Sequence, residues 1–384
     1  MQRSHRFATG VVSLALLGAL ATFPAQAQQA PPGNTILRTA FEKDTNGWIS
    51  IGEKANVSLD SDTVTGTKFL RYDYAVEKGN FSILILPINE NEVAAAQTIR
   101  FKVKTDYPTT LGVVLQEREA DKDRGRYLAV LYSPGGEWQE VALSTTDFVL
   151  SQGKDDPYDP NGKLDMNLVQ GVGLIDLKQM IAQGEDNPIS DLMGLKRGSH
   201  KLWMKDFQIT TEVLPGASFY SKSDSRLDTF GHPQVGWLGF GEVKLSTHTG
   251  SPIEGRGLKA VYPHGPGKIG AMVRGIPQGR LAGKQRLQLT LTSEKPTTVA
   301  VQVEERGGGK YNAVLDVPGG KTPKEFVVSF ADFTPADDSK DDNNKLDLGE
   351  VHQVVLVDIS GLLGSAKEAG ENTLFINGLR ALAN

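Results

Sequence analysis

Cysteine is absent from the 384-residue sequence, which excludes disulfides, thiolate zinc sites and cysteine nucleophiles. An excess of basic residues is also lacking, because 41 Lys and Arg stand against 46 Asp and Glu, for a net charge of -5. That balance excludes the electrostatic footprint of a nucleic-acid-binding protein. The sequence is comparatively rich in turn-forming residues, with 42 Gly and 19 Pro, and this favours a β protein over a helical one.

Familiar catalytic motifs are missing as well. The sequence holds neither a G-x-S-x-G nucleophile elbow nor an H-E-x-x-H zinc motif. A lyase or hydrolase that uses a pair of carboxylates stays open, because spacing along the chain does not fix the distance between two carboxylates in the fold.

The first 27 residues have the pattern of a secretory signal peptide. Arg3 and Arg6 precede an apolar run from Phe7 to Phe23, and Ala25-Gln26-Ala27 supplies small residues around a cleavage point. An uncleaved anchor is the alternative, although the run is shorter than the roughly 20 residues that a spanning helix needs. Cleavage predicts a secreted or periplasmic protein without a membrane span.

The rest of the chain is a tandem duplication. Residues 70–118 match residues 258–306 at a constant offset of 188, without gaps. Identities include Leu70/Leu258 and the triplet Pro108-Thr109-Thr110, which recurs as Pro296-Thr297-Thr298. The repeat predicts two domains, at 34–214 and 225–384, joined by a linker at 215–224.

Each unit has the residue pattern of β-strands. The run from Ile99 to Lys104 alternates apolar and basic residues, and Leu287 to Thr292 repeats the alternation. Period-2 runs separated by Gly and Pro turns predict antiparallel β-sandwiches. Helix is predicted only over short segments, at Leu177 to Gln183 and its counterpart Gly361 to Ala369.

The order of motifs in the first unit resembles a known superfamily. Phe41-Glu42 and Gly47-Trp48 open the unit, a turn at Gly135-Gly136-Glu137-Trp138 follows, and Thr146-Asp147-Phe148 precedes the loop 159–165. This order is similar to the galactose-binding-like jelly-roll superfamily, and within it to family 11-like carbohydrate-binding modules and intermediate-associated-protein-30-like domains. The resemblance implies an all-β chain of two tandem jelly-roll sandwiches.

The same resemblance implies a function. It implies a non-catalytic chain that binds a poly- or oligosaccharide on one face of a sandwich, and the signal-peptide pattern adds the expectation of export. The alternative is a structural protein whose sandwiches dock another exported protein in the cell envelope. No cofactor is required, but many such jelly rolls hold a structural Ca²⁺ between the first and last strands, where this chain has Glu42 and Asp206.

Candidate ligand contacts are chosen by strand parity, that is, by the face of the sheet to which each residue of a strand points. Saccharide recognition needs aromatic faces that stack on sugar rings, with charged or amide groups that bind hydroxyls. Because Tyr127 and Tyr132 lie on opposite faces of one strand, only one of them is expected in the core. The predicted contacts are Gln116, Arg118 and Tyr132 in the first unit and Glu304 and Arg306 in the second.

Other conspicuous residues are given structural roles. Glu117 and Glu305 have the parity of core residues, but at the ends of their strands they are expected to reach water. The tryptophans are predicted to be core or corner residues, since aromatic side chains usually pack inside. They are Trp48, Trp138, Trp203 and Trp237.

Two acidic loops carry the densest charge. A calcium site built from carboxylate oxygens and a solvated loop are both open interpretations. The clusters are Asp155, Asp156, Asp159 and Asp165 in the first unit, and Asp337, Asp338, Asp341, Asp342 and Asp347 in the second.

Overall fold

The structure, a computed structural model, describes residues 34–383 apart from 121, 152–155, 184–194, 215–224, 229, 231–235, 241, 278, 342 and 368. The predicted signal peptide, the predicted linker, Asp155 and Asp342 lie outside the described residues. The chain forms two compact units of antiparallel strands, as the predicted all-β class requires. No helix of the described part is long and apolar enough to cross a membrane.

The first sandwich has twelve strands and one short helix, α1 (Lys178–Ala182). Its strands are β1 (Thr35–Thr39), β2 (Ile49–Ile51), β3 (Asn56–Ser61), β4 (Lys68–Val76), β5 (Ile83–Pro87), β6 (Thr98–Thr105), β7 (Thr109–Glu119), β8 (Lys122–Ser133), β9 (Gln139–Ser144), β10 (Val149–Leu150), β11 (Val169–Asp176) and β12 (Gly198–Thr210). Sheet A has the order β3-β4-β12-β6-β9, with β1 paired to β12. Sheet B has the order β10-β8-β7-β11-β5-β2.

The second sandwich repeats this plan with eleven strands and the short helix α2 (Ser360–Leu363). Its strands are β13 (Trp237–Phe240), β14 (Lys244–Thr249), β15 (Arg256–His264), β16 (Gly270–Gly275), β17 (Arg286–Ser293), β18 (Thr297–Glu305), β19 (Lys310–Val317), β20 (Lys324–Ser329), β21 (Thr334–Pro335), β22 (Val351–Asp358) and β23 (Gly370–Leu382). Sheet C, the equivalent of sheet A, has the order β14-β15-β23-β17-β20. Sheet D, the equivalent of sheet B, has the order β13-β16-β22-β18-β19-β21.

The cores lie between the paired sheets, because alternate residues of each strand point inward. In the first sandwich Leu70 of sheet A and Leu115 of sheet B are fully buried, and in the second Leu258 of sheet C and Leu356 of sheet D are too. Removing these side chains from water supplies the main favourable term in folding. The period-2 pattern predicted this placement correctly.

Two of the four tryptophans belong to these cores. Trp48 and Trp237 are both 0% exposed, as predicted. Trp48 packs edge-to-face on Phe207, with ring centroids 5.0 Å apart. The Nε1 of Trp237 donates a hydrogen bond of 2.6 Å to Asp228. This bond gives the buried indole N–H the acceptor that a purely apolar core would not supply.

Candidate functional site

The outer side of sheet A, which faces away from the core, carries aromatic and charged side chains. On β12, Leu202 and Met204 are buried in the core, whereas Trp203 between them points to the outer side. Trp203 lies opposite Lys104 of β6 and Arg71 of β4. The register therefore sets an indole ring on a central strand with a cation on each neighbouring strand.

A second tryptophan joins this surface from the residue before β9. The ring of Trp138 packs edge-to-face on Phe69 of β4, with centroids 5.3 Å apart. The Nζ of Lys104 lies 5.2 Å from the centroid of Trp138 and 4.6 Å from that of Trp203, and the Nζ of Lys205 lies 4.4 Å from Trp138. Phe69 is buried while both tryptophans are half-buried. We call these five residues the tryptophan platform.

A carboxylate orients one of the two indoles. Trp203 donates from Nε1 to Asp60 Oδ2 at 3.1 Å, and the amide of Ser61 donates to Asp60 Oδ1 at 2.8 Å. The Ser61 amide, then the indole and the charges of Arg71 and Lys104 keep the pKa of Asp60 below its usual value, although burial opposes them. Asp60 is therefore ionised at neutral pH and holds the Trp203 ring in one orientation.

Three cations on this side of sheet A are ion-paired. Arg71 lies 2.8 Å from Asp73, Arg100 lies 2.9 Å from Glu212, and Lys102 lies 3.0 Å from Glu140. By contrast, no carboxylate of the described residues comes within 4.0 Å of the Nζ of Lys104 or Lys205. The two platform lysines thus contact aromatic rings, and their N–H groups are available for hydrogen bonds.

The described residues of the second sandwich form no equivalent of the platform. Phe375 of β23 takes the register position of Trp203, and it stands opposite Thr292, which takes the position of Lys104. Phe375 is buried and packs on His248, at 4.8 Å between ring centroids. The other platform positions have neither a ring nor a cation: Gly257 for Phe69, Pro323 for Trp138 and Asn377 for Lys205.

The predicted contacts of the first unit lie on sheet B and do not form one cluster. Gln116 pairs with Arg126 near one end of β7, whereas Tyr132 pairs with Thr110 near the other end. The amide of Gln116 donates to the carbonyls of Glu117 and Gly125, each at 3.0 Å. Their role in ligand binding, together with that of Arg118, stays a prediction.

Arg118 and Tyr132 are engaged in local structure. Arg118 forms an ion pair of 3.2 Å with Asp123. Tyr132 is 2% exposed, and so is Tyr127. The expectation that only one of these tyrosines is buried is therefore wrong, because each face of β8 is covered by other side chains.

The predicted contacts of the second unit lie together at the end of β18, but both are largely enclosed. Glu304 is 7% exposed and accepts a hydrogen bond of 2.6 Å from Gln353, while burial raises its pKa. The side chain of Arg306 is 9% exposed, with Glu350 at 3.9 Å. Whether these two residues contact a ligand stays a prediction.

Glu117 and Glu305 are buried, at 0% and 5% exposed, so the expectation that they reach water is wrong. The main-chain amide of Asp165 donates to the carboxyl of Glu117, and that of Asp347 donates to the carboxyl of Glu305. These hydrogen bonds attach each acidic loop to its sheet. Burial raises the pKa of Glu117 to about 7, and it raises that of Glu305 as well. Each sandwich thus keeps a buried acid at the same place.

The acidic loops are held by their own hydrogen bonds. Tyr127 donates to Asp159 and Tyr311 donates to Asp341, and Asn161 donates to Asp165 at 2.8 Å. Within the described ranges, no group of three or more His, Asp or Glu side chains is arranged to hold a metal ion. The calcium interpretation of these loops stays a prediction.

The predicted calcium ligands of the first unit have other neighbours. Glu42 is exposed, and its main-chain carbonyl accepts from Lys68 at 3.0 Å. Asp206 occupies a bulge of β12 at φ 55°, and its carboxylate lies 3.6 Å from Lys102. A bound Ca²⁺ here stays a prediction, and it would require Asp206 to leave Lys102.

The platform itself was missed by reasoning from sequence. Trp138 and Trp203 were assigned to the core or a corner, and that assignment is wrong because both lie on the outer side of sheet A. A signal was available for Trp203, since it shares strand parity with Lys201 and Lys205 rather than with Leu202. Trp138 gave no such signal, because it precedes its strand.

Comparisons with known proteins return structures but no sequence family. No protein-family model matches this sequence. No curated protein matches it.

Carbohydrate-binding modules are among the solved structures that resemble the chain. The family 11 module from Clostridium thermocellum, solved in complex with a β-1,3-1,4-mixed-linked tetrasaccharide, is 12% identical, and the match covers 46% of this chain and 96% of that chain at a TM-score of 0.35. The N-terminal CBM22-1-CBM22-2 tandem domain of Xyn10C from Paenibacillus barcinonensis is 12% identical, and the match covers 93% of this chain and 100% of the tandem at a TM-score of 0.28. Both of these similar structures are carbohydrate-binding modules.

Proposed function

We propose that this chain is an exported, non-catalytic protein that binds a poly- or oligosaccharide on the tryptophan platform of its first sandwich. The observation that carries the proposal is the pair Trp138 and Trp203, two half-buried indoles that share one ammonium, that of Lys104, on the outer side of a sheet. Export rests on the signal-peptide pattern of residues 1–27.

The chemistry of the platform suits a sugar ring. A pyranose presents C–H groups on its faces and hydroxyls around its edge, so it is bound by aromatic rings that have polar groups beside them. The indoles supply the apolar surface, and the N–H groups of Lys104 and Lys205 supply donors for the hydroxyls. Because Asp60 fixes the Trp203 ring, less conformational freedom is lost when the ligand binds.

The test is isothermal titration calorimetry of the chain from residue 28 onward with neutral and acidic polysaccharides. Trp203→Ala should weaken binding roughly tenfold or more, since truncation of a central aromatic contact typically has that effect. Phe375→Ala, at the equivalent register position of the second sandwich, is the matched control and should leave the affinity unchanged. Absence of binding to every polysaccharide, or equal affinity of Trp203→Ala and the parent chain, overturns the proposal.

A further inference from the structure

The two lysines of the platform differ from three other cations on the same side of sheet A. Arg71, Arg100 and Lys102 each have a carboxylate within 3.0 Å. Lys104 and Lys205 have none within 4.0 Å among the described residues, and both ammonium groups lie over the ring of Trp138. Two like charges therefore share one indole without an ion-pair partner.

The nearby acid Asp60 does not neutralise them. Lys104 interacts electrostatically with Asp60, but both carboxylate oxygens of Asp60 already accept hydrogen bonds, from Ser61 and from Trp203. Asp62 interacts electrostatically with Lys205 in the same way. Neither carboxylate comes within 4.0 Å of these ammonium groups, so their N–H groups have no carboxylate acceptor among the described residues.

The two lysines occur in the same sandwich as the two tryptophans of the platform. In the second sandwich, Thr292 and Asn377 stand at the positions of Lys104 and Lys205, and the tryptophan positions hold Phe375 and Pro323. In the second sandwich the tryptophan positions and the two lysine positions of the platform have therefore changed together. Rings and cations therefore form one unit of recognition.

We infer that the saccharide bound by the platform is anionic, with a carboxylate or sulfate group held by the ammonium groups of Lys104 and Lys205 while its sugar ring stacks on a tryptophan. The inference rests on the proposed function and adds the charge of the ligand to it. Charge-assisted hydrogen bonds from ammonium to carboxylate or sulfate are stronger than those to a neutral hydroxyl. The lysines on the rings would then determine specificity for acidic sugars.

Matched pairs of polymers test the inference, because the members of each pair have the same sugar backbone and only one of them is charged. Polygalacturonate is titrated beside its methyl ester, and dextran sulfate beside dextran. At low salt the anionic member of one pair should bind roughly tenfold more tightly, and the preference should shrink near 1 M NaCl, where charges are screened within about 3 Å. The pair that shows the preference distinguishes a uronate from a sulfate ester.

Variants show whether the platform is responsible. Lys104→Gln combined with Lys205→Gln should remove the preference, so that the anionic and the neutral polymer bind with affinities within about twofold of each other. Lys244→Gln combined with Lys367→Gln removes two exposed lysines of the second sandwich and should change neither value. A circular dichroism melt of each double variant verifies that it is folded.

The outcomes separate this inference from the proposed function. Equal affinity for charged and neutral members of both pairs overturns the anionic ligand and leaves saccharide binding in place. A preference that persists in the Lys104/Lys205 double variant, or that disappears in the control double variant, also overturns the inference. Failure of every polymer to bind overturns the proposed function itself.

Discussion

The outer sides of sheets A and C are built on one register, yet their side chains differ in kind. Trp203 opposite Lys104 in the first sandwich becomes Phe375 opposite Thr292 in the second. Inside the sandwiches the halves agree, since Leu70 and its repeat Leu258 are both fully buried. The duplication has kept the side chains on which the fold depends and changed those on the surface. Since a shared fold does not imply a shared function, the binding face is to be sought where the halves differ.

The largest expected effect on stability comes from changing the buried glutamate that both sandwiches contain. Burial raises the pKa of Glu117 from 4.5 to about 7. The folded state therefore binds this proton more tightly than the unfolded state, and the stabilisation is present below about pH 4.5 and is lost as the pH rises to about 7. The loss amounts to about 3 kcal/mol, and Glu117→Gln should abolish it.

Urea unfolding at pH 5 and pH 8 measures this effect. The free energy of unfolding of Glu117→Gln, relative to the parent chain, should rise between the two pH values. Glu90→Gln, which changes an exposed glutamate, should show no such rise. A constant difference for Glu117→Gln would mean that the carboxyl is ionised throughout this range.

Phe69 of the first sandwich is replaced by Gly257 in the second. A Cβ at Gly257 would lie 2.7 Å from the main-chain oxygen of Ile376 and 2.5 Å from Ile253, so the second sandwich has no room for a platform residue there. Gly257→Ala should destabilise by about 2 kcal/mol, as overpacking does. Gly275→Ala, where a Cβ meets nothing within 4 Å, should unfold like the parent chain in thermal melts. Equal melting temperatures for Gly257→Ala and the parent chain would show that lack of space does not explain the absence of a ring at this position.

The core tryptophans allow a third comparison of the halves. Trp237 donates to Asp228, whereas the Nε1 of Trp48 has no acceptor among the described residues. Trp237→Phe should therefore be more destabilising than Trp48→Phe, by about 1.5 kcal/mol, since it removes a hydrogen bond to a buried carboxylate. Guanidinium unfolding of the two variants gives the difference. Equal losses of stability would show that the Phe230 amide and Arg274, which also contact Asp228, are sufficient to hold it.

The smallest expected effect concerns the anchor of the platform. Asp60→Ala frees the Trp203 ring and should weaken saccharide binding about threefold through lost preorganisation. Asp60→Asn retains an oxygen acceptor for the indole N–H and should bind like the parent chain. The same calorimetric titration compares them. Unchanged affinity in Asp60→Ala would show that packing alone orients Trp203.

Much of the fold could be predicted from residue patterns, whereas the candidate site could not. The alternation at Ile99 to Lys104 and its repeat at Leu287 to Thr292 correctly predicted β6 and β17. Tyr132 was chosen as a ligand contact from its parity, but parity states only which face a side chain points to, and here both faces are covered. Trp138 was assigned to the core or a corner. The contact of its ring with Phe69 on the outer side of sheet A is not encoded in any local sequence pattern.

By itself, the sequence determined that this protein is a duplicated β-sandwich with apolar residues inside, because strand alternation and a constant repeat offset are properties of the linear chain. Only the tertiary structure decided that Phe69, Lys104, Trp138, Trp203 and Lys205 form one surface. These residues come from three strands and a turn that are distant in sequence. Their proximity depends on which strands pair and in what register, and those are outcomes of folding the whole sandwich.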